Sequence, residues 1–114
     1  MTINYEYKEN IKLFDEYFIK NNKDKCFLLI NNKIHELYGE YKFNKKEKNI
    51  KIKLIEESNI ENMSFMFYNC KSLLSVDMSK WNINKVKNLD CIFLGCSSLY
   101  ILSDYIKMGY KKCE

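Results

Sequence analysis

The feature that most constrains this chain is an internal repeat in its second half. The segment Asn62-Met-Ser-Phe-Met-Phe-Tyr-Asn-Cys70-Lys-Ser-Leu73-Leu-Ser-Val76 lies over Asn88-Leu-Asp-Cys-Ile-Phe-Leu-Gly-Cys96-Ser-Ser-Leu99-Tyr-Ile-Leu102 at an offset of 26 residues, the separation of Asn62 and Asn88. Identities fall at Asn62/Asn88, Phe67/Phe93, Cys70/Cys96, Ser72/Ser98 and Leu73/Leu99. Apolar matches fall at Ile60/Val86, Met63/Leu89, Met66/Ile92 and Val76/Leu102. A fixed period in this range is the mark of a unit that buries its apolar side against a copy of itself.

Within one unit, Met63, Met66, Phe67 and Cys70 are spaced so that a short helix would place them on one face. Leu73, Val76 and Met78 follow with the L-x-x-L-x-L spacing of a leucine-rich-repeat strand, and a Ser-rich joint lets the chain turn between them. One unit cannot bury both faces. Stacking the second copy sets Cys70 over Cys96, Leu73 over Leu99 and Phe67 over Phe93. The pattern therefore predicts an α/β chain: a short leucine-rich-repeat-like solenoid of about two 26-residue repeats, the period read above.

Asn62-Met63-Ser64, Met66-Phe67, Cys70, Ser72-Leu73, Ser79, Trp81-Asn82 and Val86 together resemble the BspA-like leucine-rich repeats, whose units run roughly N-M-S-x-M-F-x-x-C-x-S-L. The second copy is degenerate, with Asp90, Cys91 and Ile92 in place of Ser-x-Met and no Trp-Asn after it. The stretch from Phe18 to Cys26 and on to Lys33 is similar to the leader that precedes such arrays in protist proteins. The resemblance implies a binding or surface module with no catalytic site and no cofactor. It names no partner.

The first half predicts a β-rich cap with one short helix. Ile3, Tyr5 and Tyr7 alternate with polar residues at strand period, and Ile11 to Phe14 extends that pattern. Asp15 suits a helix N-cap before Glu16 to Lys20, with Asn21-Asn22 as the stop. Cys26 to Ile30 is an apolar run of strand length. Asn31-Asn32 suits a left-handed turn, with Ile34 to Tyr41 returning as its partner. Ile50, Ile52 and Leu54 alternate with Lys51, Lys53 and Ile55 in a strand with one wet face. The organisation is thus residues 1–57 as cap, 58–104 as two repeat units and 105–114 as a C-terminal tail or cap. A third unit would begin at Glu114, so the array is short for a solenoid.

Chemistry is sparsely represented. The 114 residues include a single histidine, His35, and three glycines, which leaves no phosphate-binding glycine loop and no nucleophile–base pair. Cys70 and Cys96 are explained by the repeat, so neither metal nor cofactor is expected. Five cysteines without a visible signal peptide predict reduced thiols and an intracellular, cytoplasmic protein. No apolar run approaches the length of a membrane span.

The expected function is a non-enzymatic protein-interaction module or small accessory subunit of a larger assembly. It would bind through the repeat strand face or the open solenoid end. Leu73, Val76, Leu99 and Leu102 point inward, which leaves Leu74, Ser75, Asp77, Tyr100, Ile101 and Ser103 as candidate contacts with a protein partner. The net charge of +4 supports an alternative, an RNA- or anionic-surface-associated protein using Lys42 to Lys53. All 19 basic residues are Lys, however, and Arg is the residue suited to bidentate phosphate recognition.

Overall fold

The alternation in the first strand decides how the chain begins to fold. Strand β1 (Thr2–Glu6) buries Ile3 and Tyr5 completely and turns Asn4 and Glu6 to the other side. The computed structural model describes residues 1–100 other than Lys45, Glu47 and Asn82, and all of Ile83 but its side chain. After β1 come β2 (Asn10–Lys12), helix α1 (Glu16–Asn22), β3 (Cys26–Ile30), β4 (Lys33–His35), β5 (Glu40–Lys42), β6 (Asn49–Glu56) and β7 (Leu73–Asp77). A turn of 3-10 helix at Ile83–Lys85 follows.

The strands form a five-stranded antiparallel sheet in the order β4-β3-β6-β1-β7, with β2 and β5 paired in a separate ribbon. Buried residues along the large sheet occupy one face: Ile3 and Tyr5, Leu28 and Ile30, Ile50, Ile52 and Leu54, Leu73 and Val76. Between β1 and β7 the register shifts at Asn4/Tyr5, so that Leu74 is the extra residue of a β-bulge.

Local chemistry accounts for several joints. The Asp15 carboxylate accepts from the Tyr17 N–H at 3.0 Å and caps α1. Asn31 and Asn32 take φ of 52° and 63°, the left-handed conformation that a tight hairpin between β3 and β4 requires. The return strand is shorter than the expected Ile34 to Tyr41. Chain beyond His35 leaves the large sheet, and β5 pairs with β2 instead.

The predicted α/β solenoid is not the fold of this protein. Its repeat strand, β7, is antiparallel to β1, so the supposed cap and the first repeat share a single sheet. The radius of gyration, 13.2 Å, is what a rounded domain of this length has. Nor is Met63 to Cys70 a helix. Phe65 and Asn69 both take φ of 57°, which no α-helix accommodates. The segment is instead a chain of tight turns, Met66 N–H to Met63 O, Tyr68 N–H to Phe65 O and Cys70 N–H to Phe67 O. Turns of this kind bring residues three and four apart to one side, as a helix does. The apolar spacing is therefore the same for both.

The repeat itself survives as backbone geometry. Left-handed residues recur at the same places in both copies, Phe65 with Cys91 (φ 55°) and Asn69 with Gly95 (φ 80°). Asn62 Oδ1 accepts from the Ser64 N–H, and Asn88 Oδ1 accepts from the Asp90 N–H. The two turn chains lie side by side. N–H groups of Met63, Phe65, Phe67 and Asn69 donate to the carbonyls of Asn88, Asp90, Ile92 and Leu94 at 2.8–3.0 Å.

An aromatic column locks this layer onto the sheet. Phe18 stacks on Phe14 (5.6 Å between centroids), Phe14 meets Phe67 (5.5 Å), and Phe67 lies parallel to Phe93 (5.8 Å, 9°). The Asp15 N–H donates to Met66 O at 2.9 Å, and the Asn22 side chain donates to Asn62 O at 2.9 Å. Tyr5 reaches across the core to donate its hydroxyl to Leu13 O at 2.6 Å. Cys26, Cys70 and Cys96 are free thiols, whereas Cys91 is disulfide-bonded, so the expectation of reduced thiols fails at that position.

Three outcomes test this packing. Leu73→Asp places a carboxylate at a wholly buried site opposite Tyr5 and should remove on the order of 4 kcal/mol or more, abolishing the cooperative thermal transition. A native-like melt would show that β7 is not docked on β1. Gly95→Ala puts a methyl group against the Asn69 side chain at a positive φ and should lower stability by about 2 kcal/mol in urea titration. Burial pushes the thiol of Cys96 up to about 11 and that of Cys26 up to about 12, from an ordinary 9.0. Above pH 9 the unfolded chain then loses protons that the folded chain retains, so the urea midpoint should fall as pH rises from 9 towards 12. A midpoint that is flat across that window would contradict the burial.

Candidate binding surface

Filling one face of the large sheet leaves the other to solvent. Outward positions, read by register, form rows across the strands. Ile34, Leu29, Lys53, Thr2 and Asp77 make one row; Phe27 and Ile55 make the next; Lys51, Asn4 and Ser75 make a third. On the β4-β3-β6 side four of these residues are apolar. Phe27, Leu29 and Ile55 are half-buried, and Ile34 is 73% exposed. Leu29 faces Ile34 and Lys53 directly, and Phe27 faces Ile55, so the four form a contiguous patch.

The charges around the patch are segregated along the strands. Lys51 and Lys53 are exposed on β6 and make no ion pair among the described residues. At the opposite end, where β6 finishes, a cleft of about 370 Å³ is lined by Phe27 and Ile34 together with Asp24, Glu36, Glu57 and Lys23. Glu36 and Glu57 continue the outward alternation of β4 and β6, and both are exposed. Lys51 at one end and an acidic cleft at the other thus flank the four apolar side chains, with Lys53 beside Leu29 in the patch itself.

The contacts expected from the sequence lie at the other edge of the sheet. Ser75 and Asp77 face outward on β7, where Ser75 Oγ accepts from the Asn4 side chain at 3.1 Å. Asp77 accepts from the Ser79 N–H at 2.9 Å, and its hydrogen bonds to Ser79 hold its carboxyl below the usual range. Leu74 is half-buried at the bulge, with its carbonyl accepting from Tyr100 N–H at 3.2 Å, and Tyr100 is 70% exposed. Leu74, Ser75, Asp77 and Tyr100 are therefore brought together along β7. Ile101 and Ser103, with the inward position Leu102 and the tail 105–114, lie outside the described residues.

The lysine-rich stretch is dispersed. Lys42 sits on the small ribbon 3.7 Å from Glu9, Lys46 and Lys48 are in the loop that follows, and Lys51 and Lys53 stand on the large sheet. His35 is packed edge-on against Tyr41 at 5.5 Å and Tyr38 at 6.3 Å. Among the described residues no group of three or more His, Cys, Asp or Glu is placed to hold a metal ion, and no helix is long and apolar enough to cross a membrane.

The apolar patch escaped the sequence reading for a physical reason. Cys26 to Ile30 is apolar at every position, so periodicity marks it as a strand without showing which side chains reach the core. The signal that could have found the patch is Ile55, which breaks the alternation of β6 by placing an apolar residue on the outward side with Lys51 and Lys53.

Comparison with known proteins gives a family and no closer relative. No curated protein and no solved structure matches the chain. Residues 33–104 match the model of a family described as "Mycoplasma protein of unknown function, DUF285". That stretch begins at β4, takes in β5 to β7 and both repeat copies, and exceeds half of the chain: the protein belongs to the DUF285 family.

Proposed function

We propose that this protein is a non-catalytic protein-interaction module, acting as a small accessory subunit of a larger assembly. The observation that carries the reading is the apolar patch of Phe27, Leu29, Ile34 and Ile55 on a sheet whose opposite face already supplies the core. Apolar side chains grouped on an outer face and edged by charge have the composition of an interface centre with a polar rim. Tyr100 beside Leu74 adds a second apolar point at the β7 edge, of the aromatic kind that interfaces favour. The resemblance of the repeat motif to BspA-like units agrees with a binding role.

A second reading, association with RNA or an anionic surface, is favoured by one observation: Lys51 and Lys53 stand exposed and unpaired among the described residues. Salt separates the two. Binding through lysine–phosphate contacts falls steeply with ionic strength, whereas a desolvated apolar contact does not.

Quantitative capture from source-cell lysate at two salt concentrations, after nuclease treatment, tests the module. Wild-type protein should retain discrete proteins at high salt. Leu29→Asp with Ile34→Asp, or Tyr100→Glu, should reduce that retention by about tenfold while circular dichroism stays native. Retention unchanged by all three substitutions would sink the reading. Material lost with nuclease or salt would transfer support to the lysine surface.

A further inference from the structure

The geometry points to a second copy of this chain as the occupant of the β4-β3-β6 face, docked about a two-fold axis that crosses the strands; this rests on the interaction-module reading above. Three observations combine. The apolar patch spans two adjacent rows, Ile34–Leu29 and Phe27–Ile55. Lys51 lies towards the start of β6, Lys53 lies in the row of Leu29 and Ile34, and Glu57 lies just past the strand's end. Glu36 and Asp24 join Glu57 at that acidic end, where Lys23 lines the same cleft and Lys25 lies beside Glu57 through the Glu57 N–H to Lys25 O bond at 2.8 Å.

A face that is basic at one end and acidic at the other is complementary to itself only when reversed. A two-fold axis running between the two apolar rows performs that reversal, because it lays each strand over its own antiparallel copy. Leu29 of one copy then rests on Phe27 of the second, Lys51 rests over Glu57, the Lys53 stem lies along Ile55, and Ile34 sits beside Glu36. By symmetry each contact occurs twice, as in any isologous interface. The two sheets pack face to face at roughly 10 Å, the ordinary spacing of a β-sandwich.

Other occupants fit less well. An acidic partner would match Lys51 and Lys53 but would meet Asp24, Glu36 and Glu57, and a basic one would meet the reverse problem. An anionic membrane is opposed by the same carboxylates. The remaining carboxylates of the outer face, Glu6 and Asp77, lie on β1 and β7, outside the apolar rows, and do not enter the contact. β3 and β4 are short beside β6, so the face offers less area than a standard interface and the expected dimer is weak.

Sedimentation velocity of the full chain across micromolar to millimolar concentrations tests this directly. The expected result is a reversible monomer–dimer equilibrium. Leu29→Asp should weaken it about tenfold. Lys51→Glu and Glu57→Lys should each weaken it roughly threefold, and the double variant carrying both should recover close to the wild-type constant, because every symmetric pair is then restored with its charges exchanged. Circular dichroism confirms the fold of each variant. Three outcomes overturn the inference: a monomer at all concentrations, a dimer indifferent to Leu29→Asp, or single charge effects that the double variant does not repair. If the chain stays monomeric while Leu29→Asp with Ile34→Asp still loses captured protein, a different protein occupies the face and only the module reading stands. If neither association nor capture responds, both fall.

Discussion

Everything in this fold depends on β1 being paired on both sides. The first strand lies between β6 and β7, bonded to Thr2–Glu6 partners from Asn49 to Lys53 on one side and Leu73 to Asp77 on the other. It joins the β-rich first half to the repeat region through backbone hydrogen bonds that no side-chain change removes. Tyr5, wholly buried on this strand, spans the core to Leu13 O, and burial raises its hydroxyl pKa well above the ordinary 10.0. Because β1 is an interior strand, paired on both sides, its inward side chains must all be apolar or internally satisfied, and its outward ones face solvent. The division of the sheet into a filled face and an open face starts there.

Stacking of the repeat copies is secondary to that pairing. Two turn chains lying side by side satisfy each other's backbone groups but bury little without the aromatic column beneath them. Phe14 and Phe18 come from the N-terminal half, Phe67 and Phe93 from the two copies, and the column fails if either contributor is absent. A repeat unit needs a neighbour on each side to bury its faces. The N-terminal half supplies the missing neighbour, not as a cap on a stack but as strands and a helix woven into the same core. Side-chain spacing then serves both halves: Met63, Met66, Phe67 and Cys70 are all buried, whatever the backbone between them does.

Legibility of the sequence follows the same division. Local signals were readable: the Asp15 cap, the Asn31-Asn32 turn, the strand alternation of β1 and β6, and the 26-residue register seen in the pairing of Asn62 with Asn88. What misled was the assumption that apolar residues at three- and four-residue spacing require a helix. Consecutive i to i+3 turns interrupted by left-handed residues give the same spacing, and the only clues were Asn69 and Gly95, residue types that tolerate positive φ. Phe65 and Cys91 occupy the same conformation without any such clue. The antiparallel pairing of β7 with β1 joins residues about seventy apart in the chain, a distance over which no periodicity carries information. Candidate contacts were legible in part. Leu74, Ser75, Asp77 and Tyr100 do lie together, whereas the apolar patch was hidden inside a strand apolar on both sides.

That hidden patch follows from how the sheet is built. β3 sits one strand in from the edge, and its partner at the edge, β4, spans only Lys33–His35. So short an edge strand screens the outer face of β3 poorly, and Ile34 at its centre is left nearly bare. A protein free to discard this patch would place polar residues at Phe27, Leu29 and Ile55, since the core needs none of the three and the inward positions Cys26, Leu28 and Ile30 already fill it. Keeping them apolar adds nothing to the interior and leaves hydrocarbon beside water. Such an arrangement is stable in solution only if the patch is small or spends its time covered. Acid at one end and lysine towards the other give the face a direction, so that a cover of uniform charge meets repulsion at one end whichever way it lies.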